Sequence, residues 1–273
     1  MNHQPRKRFG QNFLRDAGVI RQIAGVVHPI SSDHLVEIGP GEGALTRELL
    51  SSSARMDAIE LDRDLAAYLQ RQFAETSRFC LHSADALRFD FSSLKDNEET
   101  LRIVGNLPYN ISTPLLFHLF EQLHVVKDMH FMLQKEVVER LCASPGSKEY
   151  GRLTVMAGYY CRAEHLFDVG PEAFYPAPKV ISSIIRLIPH PKPPVEVSRT
   201  ALSRVVAAAF SQRRKTLRNA LRDYLDETGF EAAGIDSSRR AETLSLAEYA
   251  ALVRVADVVL QNATELQISD NLP

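Results

Sequence analysis

HLVEIGPGEGALTRELL occupies residues 34–50. A continuous apolar run passes into a turn of three alternating glycines and then into apolar residues at helical spacing, which predicts strand, tight turn and helix. The same alternation continues along the chain. MDAIEL (56–61), RFCLHS (78–83), LRIVGN (101–106) and MHFMLQ (129–134) read as strands, and RDLAAYLQRQFAE (63–75), TPLLFHLFEQL (113–123) and KEVVERLCA (135–143) as helices. Apolar strands without polar alternation imply a mostly parallel sheet covered by helices on both faces and joined by right-handed crossovers. After a helical stretch at 151–161 come two β-like segments, HLFDVG (165–170) and VISSIIRLI (180–188), around the loop PEAFYPAPK. PHPKPP (189–194) cannot continue a strand and reads as a linker. From Ser198 the pattern is helical only, and SLAE (245–248) is a capping box opening an apolar helix to about Leu260. Two domains are expected: an α/β domain over 1–190 and a small all-α domain over 195–273.

Composition excludes several classes. With 45% hydrophobic and 24% charged residues in 273, the chain can bury a substantial core. The basic start has no apolar leader segment, and no apolar stretch approaches the roughly 18 residues of a membrane span. A cytoplasmic location is expected. Cys80, Cys142 and Cys161 are widely spaced and unpaired in sequence, so neither a disulfide framework nor a zinc site is indicated, and buried thiols are expected. A formal charge of −2 argues against non-specific coating of nucleic acid, although a local basic patch can hide within it.

In an open parallel sheet, ligands bind beyond the carboxyl ends of the strands, where strand order reverses. The first strand ends in Gly39-Pro40-Gly41-Glu42-Gly43, which lets backbone approach a ligand closely. The spacing is not that of a dinucleotide fingerprint. Glu60 closes the second strand, where a carboxylate can accept from both ribose hydroxyls, and Asp85 follows the third, suited to an adenine amino group. Alone, either acid is more often a solvated carboxylate or a helix cap than a ligand residue. Together the three ends favour a nucleoside site.

That constellation resembles the class I S-adenosylmethionine-dependent methyltransferases, and GNLPYN (105–110) at the fourth strand end narrows the resemblance to enzymes that methylate exocyclic amino groups of bases. The chemistry needs these residue types. An adenine amine is a poor nucleophile because its lone pair is delocalised. If the Asn106 side-chain oxygen and the Leu107 carbonyl accept its two hydrogens, the lone pair turns toward the methyl donor, and positioning and electrostatics dominate the transfer. Pro108 steadies the Leu107 carbonyl. Tyr109 can stack on the base, and its face favours developing positive charge. A paired base cannot enter, so a flipped or single-stranded adenosine is implied.

Gln11-Asn12-Phe13-Leu14, FMLQKEVVERL, YGRLTVMA, AFYPAPKVISSIIRL and FSQRRKTLRNAL extend the likeness: the chain resembles the ribosomal RNA adenine dimethyltransferase family, in its small-subunit branch, from about Arg8 to Tyr249. The resemblance implies dimethylation of two adjacent adenosines near the 3′ end of small-subunit rRNA within a partly assembled small ribosomal subunit, with no membrane and no metal. It places the cofactor, S-adenosylmethionine, on Asn12, Leu14, Gly39, Glu60, Asp85 and Asn106, with Gln11 and Gly41 beside them. The QNFL segment reads as a lid over the cofactor, or as an arm covering a sheet edge. Phe174, in a proline-stiffened loop, reads as the second aromatic face of the base pocket or as a hydrophobic plug. Arg213, Arg214, Lys215, Arg218 and Arg222 on a continuous helix would form one basic stripe beside an apolar face, which favours phosphate contact. The resemblance adds Arg6, Lys7 and Arg8 as rRNA contacts. The competing readings are a large-subunit adenine dimethylase, a non-catalytic binding module and a nicotinamide-dependent dehydrogenase, the last disfavoured by the glycine spacing.

Overall fold

The computed structural model describes residues 6, 10–52, 55–95, 100–212 and 214–256. Those residues divide into two compact units, one comprising the chain to Val138 with Ala163–Pro189 and the other Glu139–Arg162 with the chain from His190. The expected linker at 189–194 lies at a crossing between the units. The stretch 139–162, expected with the sheet, instead belongs to the second unit.

Among the described residues, seven strands form one sheet, all within the first unit but for the first two residues of β7: β2 (His34–Ile38), β3 (Arg55–Glu60), β4 (Phe79–Ser83), β5 (Leu101–Asn106), β6 (Val126–Gln134), β7 (Cys161–Val169) and β9 (Ser182–Pro189), in the order β4-β3-β2-β5-β6-β9-β7. The pairs β2–β3, β3–β4, β2–β5 and β5–β6 are parallel, and β9 joins β6 antiparallel. Chain order reverses at β2 and β5, so their carboxyl ends form the crevice expected of a ligand site. Every residue of β2 is buried, as a strand covered on both faces requires. The helices of this unit are α1 (Ala17–Val27), α2 (Ala44–Leu50), α3 (Arg63–Gln72) and α4 (Ser112–Phe120), and α5 (Lys135–Leu141) runs on across the unit boundary. Asp16 caps α1 by accepting the Val19 N–H at 2.8 Å, and Asp62 caps α3 by accepting that of Asp64 at 3.0 Å.

At the amino end of β5, Arg102 is nearly buried and reaches Asp33 at 2.7 Å, Asp128 at 3.0 Å and the Val27 carbonyl at 2.6 Å, tying α1, β5 and β6 together. A second, two-stranded ladder was not expected: β1 (Phe13–Leu14) pairs antiparallel with β8 (Phe174–Tyr175). Two-residue strands carry too little periodicity to be read from sequence.

The second unit is helical, with α6 (Arg152–Tyr160), α7 (Arg199–Ser211), α8 (Leu217–Ala220), α9 (Glu227–Ala233) and α10 (246–256). Within it, Gly146 N–H donates to the Glu242 carbonyl at 2.7 Å and the Tyr150 hydroxyl to the Leu244 carbonyl at 2.7 Å, which accounts for the placement of this stretch. The expected capping box starts α10: Ser245 N–H donates to Glu248 at 2.7 Å, and Glu248 N–H to the Ser245 hydroxyl at 3.3 Å. The expected end near Leu260 lies outside the described residues.

The continuous basic helix is corrected. α7 stops at Ser211, the chain turns, and Thr216, in extended conformation, caps the four-residue α8. Leu217 and Arg218 donate their N–H groups to the carbonyls of Arg239 at 2.8 Å and Ser237 at 3.0 Å, so tertiary docking overrides the helical pattern. Among the described residues no helix is long and apolar enough to cross a membrane.

Candidate active site

A cavity of about 340 Å³ opens at the carboxyl ends of β2, β3 and β5, within the range of small-molecule sites. Gln11, Asn12, Leu14, Gly39, Gly41, Glu60, Asp85, Asn106, Leu107, Pro108 and Tyr109 all line it. The glycine loop makes the floor. Gly39 and Gly41 have φ of +69° and +60°, a region that side chains disfavour, and a Cβ at Gly41 would also meet the Phe13 ring at 3.0 Å.

Glu60 is 6% exposed. One of its oxygens accepts the Gly41 N–H at 3.2 Å and the other the Asp62 N–H at 2.8 Å, so the carboxylate locks the glycine loop to the start of α3. Burial raises its pKa above the ordinary value, against the pull of those two N–H groups. Asp85 spends one oxygen on the Leu87 N–H at 3.0 Å, in a turn and not as a helix cap, and lines the cavity as well.

At the end of β5 the loop's hydrogen bonds select which groups face a ligand. The Asn106 amide nitrogen donates to the Asn12 carbonyl at 2.9 Å, which leaves Oδ1 as the acceptor. Leu107 N–H is spent on the Met132 carbonyl at 3.2 Å. The Pro108 carbonyl takes the Ile111 N–H at 3.1 Å and the Tyr109 carbonyl the Ser112 hydroxyl at 3.1 Å, which among the described residues leaves the Leu107 carbonyl for a ligand. The Tyr109 ring is half-buried, and its hydroxyl meets that of Ser182 at 2.8 Å. The site can therefore hold a nucleoside against Glu60 and Asp85 and an amine against Asn106 and Leu107.

Other expected residues fall elsewhere or are already paired. Phe174 is 6% exposed in the β1–β8 ladder and does not line the cavity, while Tyr175 beside it is 54% exposed under the Arg15 guanidinium, 4.5 Å from the ring centre. Alternation along a strand turns these neighbours to opposite faces, and it is Phe174 that faces the core. Arg6 is not held out as a bare cation: it pairs with Asp62 at 2.9 Å and also with Asp64. Lys7, Arg8 and Arg213 lie outside the described residues. Arg214 and Lys215 are exposed, whereas Arg218 pairs with Glu227 at 2.7 Å and Arg222 with Asp223 at 3.6 Å.

Glu37 lines the cavity, and Ser182 supports it through the Tyr109 hydroxyl; sequence reasoning missed both. Glu37, in β2 two residues before Gly39, accepts the Thr46 hydroxyl at 2.5 Å. Burial pushes its pKa up to about 7, opposed by that hydroxyl and helped by the charge of Glu60. A lone acid inside the apolar run HLVEI was the available signal.

An open parallel sheet with a glycine loop, two acids and an Asn-Leu-Pro-Tyr turn on four neighbouring strand ends defines a Rossmann-like methyltransferase. The chain belongs to the ribosomal RNA adenine dimethylase family, whose pattern it matches over residues 2–257. It is 63% identical over 254 residues to ribosomal RNA small subunit methyltransferase A of Methylococcus capsulatus, covering 93% of this chain and 98% of that one. With the protein of the same name in Pseudomonas aeruginosa it shares 57% over 256 residues, covering 93% and 94%. Among solved structures it is similar to the 23S rRNA methyltransferase ErmE, at a TM-score of 0.71 and 25% identity over 90% of this chain and 100% of that one. A dimethyladenosine transferase from Plasmodium falciparum shares the fold, at a TM-score of 0.74 and 23% identity over 88% and 95%.

Proposed function

We propose that the protein transfers methyl groups from S-adenosylmethionine to the N6 amines of two adjacent adenosines near the 3′ end of small-subunit rRNA, dimethylating each, on a partly assembled small subunit in the cytoplasm. The observation that carries this reading is the engagement of the Asn106 amide nitrogen by the Asn12 carbonyl at 2.9 Å. It turns the side-chain oxygen into an acceptor for an amine hydrogen. When bound, S-adenosylmethionine supplies an electrophilic sulfonium methyl group.

The chain's own residues do the rest by position. Glu60 accepts from ribose hydroxyls, Asp85 from the adenine amine, and Asn12 with Leu14 covers the cofactor from the amino-terminal side. Asn106 Oδ1 and the Leu107 carbonyl draw the target amine toward tetrahedral geometry, so that its lone pair faces the methyl group. Tyr109 holds the base by one face. A second methylation needs room for the first methyl to rotate aside, and the departing proton passes to solvent with no strong base required. The small-subunit substrate is favoured over the large by relatives of that name at 57–63% identity, against 25% for ErmE.

Mass mapping of rRNA from cells with and without the protein tests the assignment. Loss of two adjacent dimethyladenosines near the small-subunit 3′ end is expected, and their persistence rejects it. Asn106→Ala should lower methyl transfer to purified small subunits about 100–1000-fold, as removal of a transition-state hydrogen-bonding group does. Full methyl transfer in that variant would remove Asn106 from the chemistry, whereas loss of transfer with weak cofactor binding retained is the result expected of an enzyme rather than of a non-catalytic binding module.

A further inference from the structure

One face of the sheet gathers chemistry-bearing side chains that the methyl-transfer site does not use. β3 and β4 pair Asp57 with Cys80 and Ile59 with His82. Side chains alternate along strands, so Asp57, Cys80 and His82 share that face. His34, two residues before the Val36 that pairs with Asp57, joins them. The Asp57 carboxylate is 3% exposed and clamped from the inner side, its Oδ2 lying 2.5 Å from His34 Nε2. Its Oδ1 faces the edge strand, 2.6 Å from His82 Nε2. One ligand atom from each of Asp57, Cys80 and His82 can be chosen so that all three lie within 4.8 Å of one another. Cys80 is exposed and His82 is 28% exposed, which opens the cluster to solvent on the β4 side. The expectation of three buried thiols is corrected here, since Cys80 and Cys142 are exposed and only Cys161 is buried.

We propose that Asp57, Cys80 and His82 bind one divalent cation of the zinc class. One sulfur, one imidazole nitrogen and one carboxylate oxygen match the mixed donors of Zn²⁺ or Co²⁺, with water completing four-coordination. Ca²⁺ and Mg²⁺ prefer all-oxygen shells, which a thiolate cannot supply. His34 is the outer partner: by holding the far oxygen of Asp57 it aims the near one at the ion. Binding replaces the Asp57–His82 hydrogen bond, the His82 hydrogen moving to the other ring nitrogen, and exchanges the Cys80 thiol proton, released to solvent, for the cation. The ion would tie edge strand β4 to β3, and β4 is the strand that leads to Asp85 at the cavity.

The full-length protein, stripped with chelator and titrated with Co²⁺, provides the test. A thiolate-to-cobalt absorption band saturating at one ion per chain and abolished by added Zn²⁺ is expected. Cys80→Ser should eliminate the band, Cys142→Ser should leave it, and His82→Asn should weaken binding more than about 100-fold, the upper end of what removing an outer partner costs. In the unsubstituted protein, Zn²⁺ at 100 times its dissociation constant should slow alkylation of Cys80 about 100-fold without slowing that of Cys142. This second measurement is independent of whether the variants fold. Absence of a thiolate band, its survival in Cys80→Ser, or equal alkylation of Cys80 with and without Zn²⁺ would overturn the site.

Discussion

Glu37 carries its proton to near-neutral pH because its carboxyl is buried, which raises its pKa from an ordinary 4.5 to about 7. Between those values the folded chain keeps a proton that the unfolded chain releases, so this group's contribution is full below pH 4.5, falls as pH rises, and levels off above about 7. Glu37→Gln keeps an acceptor for Thr46 and removes the titration. Its stability relative to the natural protein should therefore rise by roughly 3 kcal/mol across that window, read by urea unfolding at several pH values. A difference independent of pH would show that Glu37 ionises normally. Ser182 acts at one remove, holding the Tyr109 hydroxyl at 2.8 Å. Ser182→Ala loosens one neutral hydrogen bond and should lower kcat/KM about 2–10-fold, with cofactor affinity unchanged. A fall in cofactor affinity instead would place its effect elsewhere. Asn106 and Tyr109 were legible from sequence because their spacing sits at a strand end. Glu37 and Ser182 were not, because the hydroxyl and carboxyl partners that give them meaning come from other elements.

At the scale of elements, the site depends on how closely β5 approaches β2. A Cβ on Gly105 would lie 2.6 Å from the Ile38 carbonyl oxygen and 3.1 Å from the Leu107 side chain, so only glycine lets the end of β5 sit where it presents Asn106. Gly105→Ala should cost about 1–3 kcal/mol of stability and push the strand end outward. A displacement near 1 Å should lower methyl transfer on the order of 100-fold. Unfolding and turnover measured on one preparation check both, and wild-type turnover would mean that the strand end absorbs the methyl group. The parallel strands were readable because burial on both faces leaves continuous apolar runs. The β1–β8 ladder and the break after Ser211 were not, because both are set by tertiary partners, Phe13 against Tyr175 and Leu217 against the Arg239 carbonyl. The Asp57–Cys80–His82 cluster was hidden for the same reason: its members meet only through strand register.

For the whole molecule, a net charge of −2 has to be reconciled with a polyanionic substrate. Part of the positive charge is already compensated: Arg102 lies buried between Asp33 and Asp128, Arg6 meets Asp62 and Asp64, and Arg218 meets Glu227. Arg214 and Lys215, exposed in the turn between α7 and α8, are better placed to meet phosphate. The basic composition of this segment was legible; which of its charges are already paired was not. Binding of small subunits should weaken linearly with salt on logarithmic axes, and Arg214→Ala with Lys215→Ala should flatten that slope by about 1.4, close to 0.7 for each single-strand phosphate that is no longer neutralised. Arg6→Ala should flatten it much less, because that guanidinium is engaged by carboxylates whether or not RNA is bound. Binding measured between 50 and 200 mM salt for the three proteins separates the cases. If Arg6→Ala flattens the slope and the double variant does not, the phosphate contacts belong to the amino-terminal arm, and the helical unit recognises shape without reading charge.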